Sequence, residues 1–398
     1  MNQAVRSTRV KNVFSNIALF ALSSAVSFLI AELVLRAFGY HGGVPFRIED
    51  ALTVNDPVLN WRHKPNSEYY FGDIVYRFNE KGFRDYAYPN DKPAHTFRIF
   101  LASDSLGFGT NVRLEESYPK LLEAQANALS LPFRTEVINY SMPGLSLKQK
   151  VHLVEQHAQS FHPDLIMIDY AINDIEFESR KKAGESSQGT CAIKLLHLPV
   201  PCSWKDRLKQ SAFLFAIQQG IENALQRINV EDRNHFYDQV EGDYYHRLYA
   251  MREKREYLEL WFRKIGEYQQ ETGIPVLVPI FPFIYDYDKY KWQDLNELII
   301  HLCDANGLAY VPLLTSYKEY PWNELRVQRG DFSHPSVKGN TIAAKAILEA
   351  MQERGLLVQL PIHSDARGEG AASTGRDGHD DIPYAGQQGR GERRPYRP

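Results

Sequence analysis

Four short stretches of this 398-residue chain carry residue types that do chemistry together, and each reads as a loop following a strand. "RIFLASDSLGFG" runs into Ser105, whose hydroxyl becomes a nucleophile once a neighbouring base takes its proton. "YSMPGLS" places Gly144 just past a second run, where a glycine either makes a tight turn or leaves its N–H open to a ligand. "AINDIEF" sets Asn173 after "DLIMIDY", an amide able to donate toward a developing oxyanion. "DFSHPSVKGN" puts Asp331 three residues before His334, close enough for a carboxylate to hold an imidazole in one tautomer. Each has a plainer explanation: a helix N-cap for Ser105, turns for Gly144 and Asn173, and a helix-capping surface turn for Asp331. In chain order, however, they supply a nucleophile, two donors and an acid–base pair, the parts of an acyl-transfer site.

The elements that would position these residues alternate. "RIFLA" is an apolar run and "YPKLLEAQANAL" has helical spacing; "TEVINYSM" and "SLKQKVHLVEQHAQSF" repeat the pair, and "PDLIMIDYA" is a third strand. A long charged helix, roughly 240 to 272, leads to "GIPVLVPIFPF"; "DLNELIIHLCDANG", "LAYVPLL" and a closing helix in "SVKGNTIAAKAILEAMQERG" follow. Strands alternating with helices predict a parallel sheet with helices on its faces, here over residues 96–362 with an insertion at about 176–231. Residues 38–95, rich in aromatics, read as short strands and turns packed on that domain, and residues 363–398 have the composition of a disordered tail.

The N-terminus sets the compartment. Residues 1–12 carry Arg6, Arg9 and Lys11 and no acid, and the next nineteen, Val13 to Ala31, carry no charge. About 20 helical residues cross a bilayer core, so residues 13–37 read as a transmembrane anchor; a cleaved signal peptide or a buried soluble helix would show the same pattern. Basic residues before the span favour a cytoplasmic N-terminus and an extracytoplasmic, periplasmic domain, and Glu32 and Arg36 are spaced to pair at the far interface. Of three cysteines none forms a CxxC pair, so a thiolate zinc site is not expected. Cys191 and Cys202 flank a short insert and suit a disulfide in an oxidising compartment, while Cys303 sits on an apolar helical face. His152, His157 and His162 are five apart, wrong for one helical face, so neither a metal nor another cofactor is expected. A net charge of -3 gives no drive toward nucleic acid.

The four stretches together resemble the SGNH (GDSL-type) hydrolase family. "SDSL" stands where that family has Gly-Asp-Ser-Leu, "MPG" carries its glycine, "AIND" matches Gly-x-Asn-Asp and "DFSHP" matches Asp-x-x-His-Pro. The resemblance covers roughly residues 95 to 350, and the lead-in "YRFNEKGFRD" with the anchored start is similar to exported members. It implies a three-layer α/β/α sandwich with Ser105 as nucleophile, His334 as general base and Asp331 as its orienting acid. The oxyanion hole would be Ser105 N–H, Gly144 N–H and Asn173. Ser103 and Ala171 replace two family glycines, each adding a Cβ at a tight strand end. An α/β-hydrolase is the nearest rival, since "SDSLG" is one residue from a G-x-S-x-G elbow, but that fold has several strands before its elbow and Ser105 ends the first clear one. The implied reaction is hydrolysis of an oxygen ester, with an O-acetylated cell-surface carbohydrate as the substrate suggested by the export address. An O-acyltransferase of polysaccharide assembly uses the same triad, and a non-catalytic glycan-binding protein could keep the same fold.

Overall fold

The computed structural model describes residues 2–43, 53–56, 59–176, 190–193, 198–201, 207–227 and 243–358. Every residue of Thr96–Ser103 (β1) is buried, as a strand covered on both faces requires. Phe97, Ile99 and Leu101 enter one apolar cluster and Phe100 and Ala102 the other, the two-residue period of a strand separating the faces. Arg134–Ser141 (β2), Leu165–Ile168 (β3), Val276–Phe281 (β4) and Ala309–Pro312 (β5) complete the main sheet. Its order is β2-β1-β3-β4-β5 with every neighbour parallel. Tyr170–Ala171 continues the line of β3 and pairs with the end of β4.

The helices are Asn2–Ala37 (α1), Tyr118–Asn127 (α2), Leu147–His157 (α3), Ala212–Arg227 (α4), Arg252–Thr272 (α5), Gln293–Ala305 (α6) and Val337–Glu353 (α7). Leu122 and Ala126 of α2 join Ala343, Ile347 and Met351 of α7 on the Phe97 face. Val151 and Val154 of α3, Leu258 and Phe262 of α5, and Ile299 and Cys303 of α6 cover the Phe100 face. The result is a three-layer α/β/α sandwich around a parallel sheet. Because β2 lies on one side of β1 and β3 on the other, the chain reverses direction across the sheet at β1. Crevices for ligands open outside the strand carboxyl ends at such a point.

The charged stretch near 240–272 is two helices, Tyr244–Ala250 and α5, broken at an extended Met251. The break lets Tyr249 reach Tyr170 Oη at 2.6 Å and the Ile172 carbonyl at 3.0 Å, while Lys254 donates to the Ile175 carbonyl at 2.8 Å. Backbone acceptors in the turn after β3 are thereby satisfied.

In the lead-in, Thr53–Asp56 pairs antiparallel with Asn60–His63, and Glu68–Phe71 pairs antiparallel with Ile74–Arg77. Its rings stack on one another and on Phe108, with His63 3.9 Å from Phe78 and Tyr69 4.6 Å from Tyr76. Within the insertion the structure describes Thr190–Ile193 paired antiparallel with Leu198–Pro201, and α4. Cys202, and with it the expected disulfide to Cys191, lies outside the described residues, as does the tail at 363–398. Cys303 is a buried free thiol.

Phe14–Ala37 of α1 is 24 residues long with mean hydropathy 2.2, enough to cross a bilayer by length and composition. Its far end is built into the domain. Glu32 accepts N–H bonds from Ala212 and Phe213 and the Ser211 hydroxyl bond, capping α4 from a different element. Arg36 pairs with Glu32 at 2.7 Å and donates to the Gln210 carbonyl.

Candidate active site

The serine turn leaves β1 within two residues. Asp104, not Ser105, is the N-cap of the short helix Ser105–Phe108, its carboxylate accepting from Leu106 N–H at 2.9 Å. The capping explanation for Ser105 therefore falls away, and its half-buried hydroxyl has no part in starting the helix. Ser103, where the family motif has glycine, is fully buried: it accepts from Gly107 N–H at 2.8 Å and donates to the Asp169 carboxylate. The expected steric disturbance is absorbed by Gly107. A Cβ there would stand 2.5 Å from Ser141 Oγ and 2.6 Å from Ser103. Arg84 of the lead-in holds the following segment, donating to the Phe108, Gly109 and Val112 carbonyls at 2.6 to 2.8 Å.

Gly144 and Asn173 stand at the matching ends of the strands flanking β1. Ser103 is in register with Ser141, and Met142 N–H donates to the Ser103 carbonyl at 3.2 Å. Gly144 follows in a turn closed by Leu145 N–H on the Met142 carbonyl, exposed, with φ +80°. A side chain there meets no neighbouring atom but the left-handed backbone favours glycine. Asn173 lies in the turn after Tyr170–Ala171, its amide oxygen buried without a hydrogen-bond partner among the described residues. Ala171, at the second replaced glycine, is buried and donates its N–H to Asp174 Oδ2 at 2.9 Å.

Asp331 and His334 meet directly, Asp331 Oδ2 lying 2.8 Å from His334 Nδ1. Asp331 Oδ1 also accepts the Ser333 and His334 N–H groups at 3.1 and 2.9 Å. The N-cap of α7 is Ser336, which accepts from Gly339 N–H, so Asp331 has no capping duty either. Phe332 C=O accepts from Ile284 N–H at 2.7 Å, tying the loop to the end of β4. Arg329, two residues before the acid, is paired with Glu222 of α4 at 2.9 Å. Burial works against a charged His334, but Asp331, by charge and hydrogen bond, and Asp104, by charge, outweigh it and raise the imidazole above its ordinary value. Burial would raise Asp331, yet His334 and the backbone N–H bonds hold it below the usual carboxylate range. Asp104, one residue before Ser105, is among the charges acting on His334.

Beneath the strand ends lies a buried cluster that the sequence reading missed: Lys150, Asp169 and Asp174, with Asp104 at its edge. Two signals were available. Lys150 shares a helical face with Leu147 and Val154, three before and four after it, and Asp169 interrupts an apolar strand run. Charged side chains in such places are rarely buried unless paired.

No family model matches the chain, and no curated protein matches it. Among solved structures it is similar to a lipase/acylhydrolase from Enterococcus faecalis, at 16% identity and TM-score 0.37 over 65% of this chain and 96% of that one. It is also similar to an acetylxylan esterase from Geobacillus stearothermophilus, at 15% and 0.38 over 65% and 94%. A putative lipolytic protein of the G-D-S-L family from Desulfitobacterium hafniense matches at 11% and 0.34 over 64% and 98%. Likeness at this level carries no functional weight, which rests on the chain's own residues.

Proposed function

We propose that the chain is a serine-dependent hydrolase of oxygen esters that removes an O-acyl group, such as acetyl, from a cell-surface carbohydrate. Ser105 Oγ attacks the ester carbonyl carbon as His334 takes its proton, and Asp331 orients and stabilises the imidazolium. The tetrahedral oxyanion accepts bonds from Ser105 N–H, Gly144 N–H and the Asn173 amide. The carbon–oxygen bond to the alcohol then breaks, with His334 returning the proton to the leaving oxygen. Water repeats the sequence on the acyl-serine, releasing the acid and restoring Ser105.

The observation that carries this reading is the Asp331 carboxylate seated on His334 Nδ1, in a loop where Ser336 does the capping. Sequence order and the SGNH resemblance support the remaining roles. The membrane address is supported by α1 and by Arg6, Arg9 and Lys11 ahead of it, which favour an extracytoplasmic domain.

The test is p-nitrophenyl acetate turnover by the full chain beside Ser105→Ala and His334→Ala, with and without an added sugar acceptor. Loss in both variants is the expected result. Equal rates in all three proteins overturn the reading in favour of a binding protein. Acceptor-dependent acceleration with acetylated sugar as product moves it to an O-acyltransferase.

A further inference from the structure

The proposed mechanism leaves one buried cluster unused. Lys150 is fully buried in α3, and its ammonium lies 3.0 Å from Asp169 Oδ1, 3.0 Å from the Asp169 carbonyl and 2.8 Å from Asp174 Oδ2. Those three acceptors match the three donors of an ammonium. Asp104 Oδ1 stands 4.0 Å away. The three carboxylates come from the segments that present the site: Asp104 precedes Ser105, Asp174 follows Asn173, and Asp169 lies at the end of β3. Asp169 also accepts from Ser103 and, at 2.7 Å, from Tyr118. One cation thus stands between the serine turn and the asparagine turn.

We propose that Lys150 is the positioning residue of the site, fixing the distance between the Ser105 turn and the Asn173 turn through Asp104, Asp169 and Asp174. The inference rests on the esterase reading and adds an electrostatic consequence to it. Three carboxylates against one ammonium leave a surplus of two negative charges if all ionise, in side chains at most 4% exposed. Such a surplus is relieved by retaining a proton. Burial, with Lys150 opposing and Asp104 adding, pushes the Asp174 carboxyl up to about 8, and burial raises Asp169 as well. Asp174 Oδ2 accepts from Lys150 and from Ala171 N–H, which leaves Oδ1 as the carboxyl oxygen with no partner among the described residues. The titratable groups facing Asp174 are Lys150, Asp104, Tyr170 and Tyr249, and Asp169 shares the Lys150 ammonium with it.

Above that pH, Asp174 ionises opposite Asp104, and the added repulsion acts on the turn that carries Ser105. The experiment is kcat and KM of the full chain for p-nitrophenyl acetate between pH 6 and 9.5, with the Ser105→Ala rate subtracted, for wild type, Asp174→Asn and Lys150→Met. The expected wild-type kcat falls through an alkaline limb near pH 8. That limb is absent in Asp174→Asn, whatever the variant's plateau, because the amide cannot ionise and still accepts both bonds. Lys150→Met is expected to lose kcat on the order of 100-fold while KM moves less than about threefold, as for a lost transition-state donor.

A wild-type profile with no alkaline limb, or a limb that persists unchanged in Asp174→Asn, overturns the inference. So does a folded Lys150→Met with kcat intact and only its melting temperature lowered. Should Lys150→Met not fold, the limb in Asp174→Asn decides alone. Failure of the esterase reading is separate, since there Ser105→Ala matches wild type.

Discussion

The two halves of the proposed site are built in opposite ways. The acid–base half is local: Asp331 and His334 are three residues apart, and the carboxylate is held largely by N–H groups of its own turn. Its side chains stay partly exposed, 12% for Asp331 and 23% for His334. The serine and oxyanion half is assembled from afar, through buried contacts that bridge 19 residues between Lys150 and Asp169 and 66 between Ser103 and Asp169. A local turn loses little when one side chain is cut back. A buried ionic cluster loses much, because the remaining charges are stranded without water. The stability cost of losing one side chain should therefore differ between the halves, even where the loss of rate does not.

The largest effects expected are on rate, one in each half: Ser105 in the long-range half and His334 in the local one. Ser105→Ala and His334→Ala should each cut kcat by about 10⁴-fold or more. For His334→Ala the unfolding free energy should change by about 0.5 kcal/mol or less, as for partly exposed sites away from core packing. Steady-state kinetics beside urea unfolding checks both, and a large stability loss in His334→Ala would erase the distinction between the halves.

Asp331→Asn keeps the side-chain shape but should cost about 10⁴-fold, as expected when the imidazole loses its orienting carboxylate. Its pH profile is also informative. His334 accepts a proton only when neutral, so a raised imidazole puts the acid limb of kcat/KM above the ordinary value of about 6.5. Removing Asp331 removes the main raising influence, so the limb should move to lower pH in Asp331→Asn. An unmoved limb would mean that another group sets it.

In the long-range half the signature is stability. Lys150→Met should cost about 3–5 kcal/mol by leaving buried carboxylates unpaired, measured by urea or thermal unfolding. A cost near that of His334→Ala would show that the cluster does not hold the strand ends together.

The smallest effect sharpens how the departure from the family motif is accommodated. Ser103→Gly should cost about 1–2 kcal/mol through the bonds lost by Asp169 and Gly107. Gly107→Ala should cost more on its own than in the Ser103→Gly background, because Ser103 supplies two of the three close atoms. A double-mutant cycle reads that coupling directly; strict additivity would show that the glycine answers to Ser141 alone.

How much was legible follows the same division. The strand–helix alternation from Arg98 onward is written in apolar periodicity, and it predicts the parallel sheet that forms. Asp331 and His334 could be paired on paper because their spacing is itself the contact. The Glu32–Arg36 pair was readable for the same reason, as neighbours on one helical face. The break at Met251 was not, since neither glycine nor proline marks it and the need for it lies in the tyrosine and lysine bonds to the turn after β3. Nor could Ser105 be freed from the capping role by sequence, because Asp104 beside it suits a cap as well.

The sequence by itself determined most of the elements and their order, the residue types at the strand ends and the self-contained Asp331–His334 turn. Only the tertiary structure decided that β1 stands between β2 and β3, bringing the Ser105, Gly144 and Asn173 turns to neighbouring strand ends. It alone brought Lys150 beneath them to face three aspartates. The physical reason is range: periodicity and short spacing are fixed by local backbone geometry, whereas the surroundings of a buried charge are set by which distant segments exclude water from it.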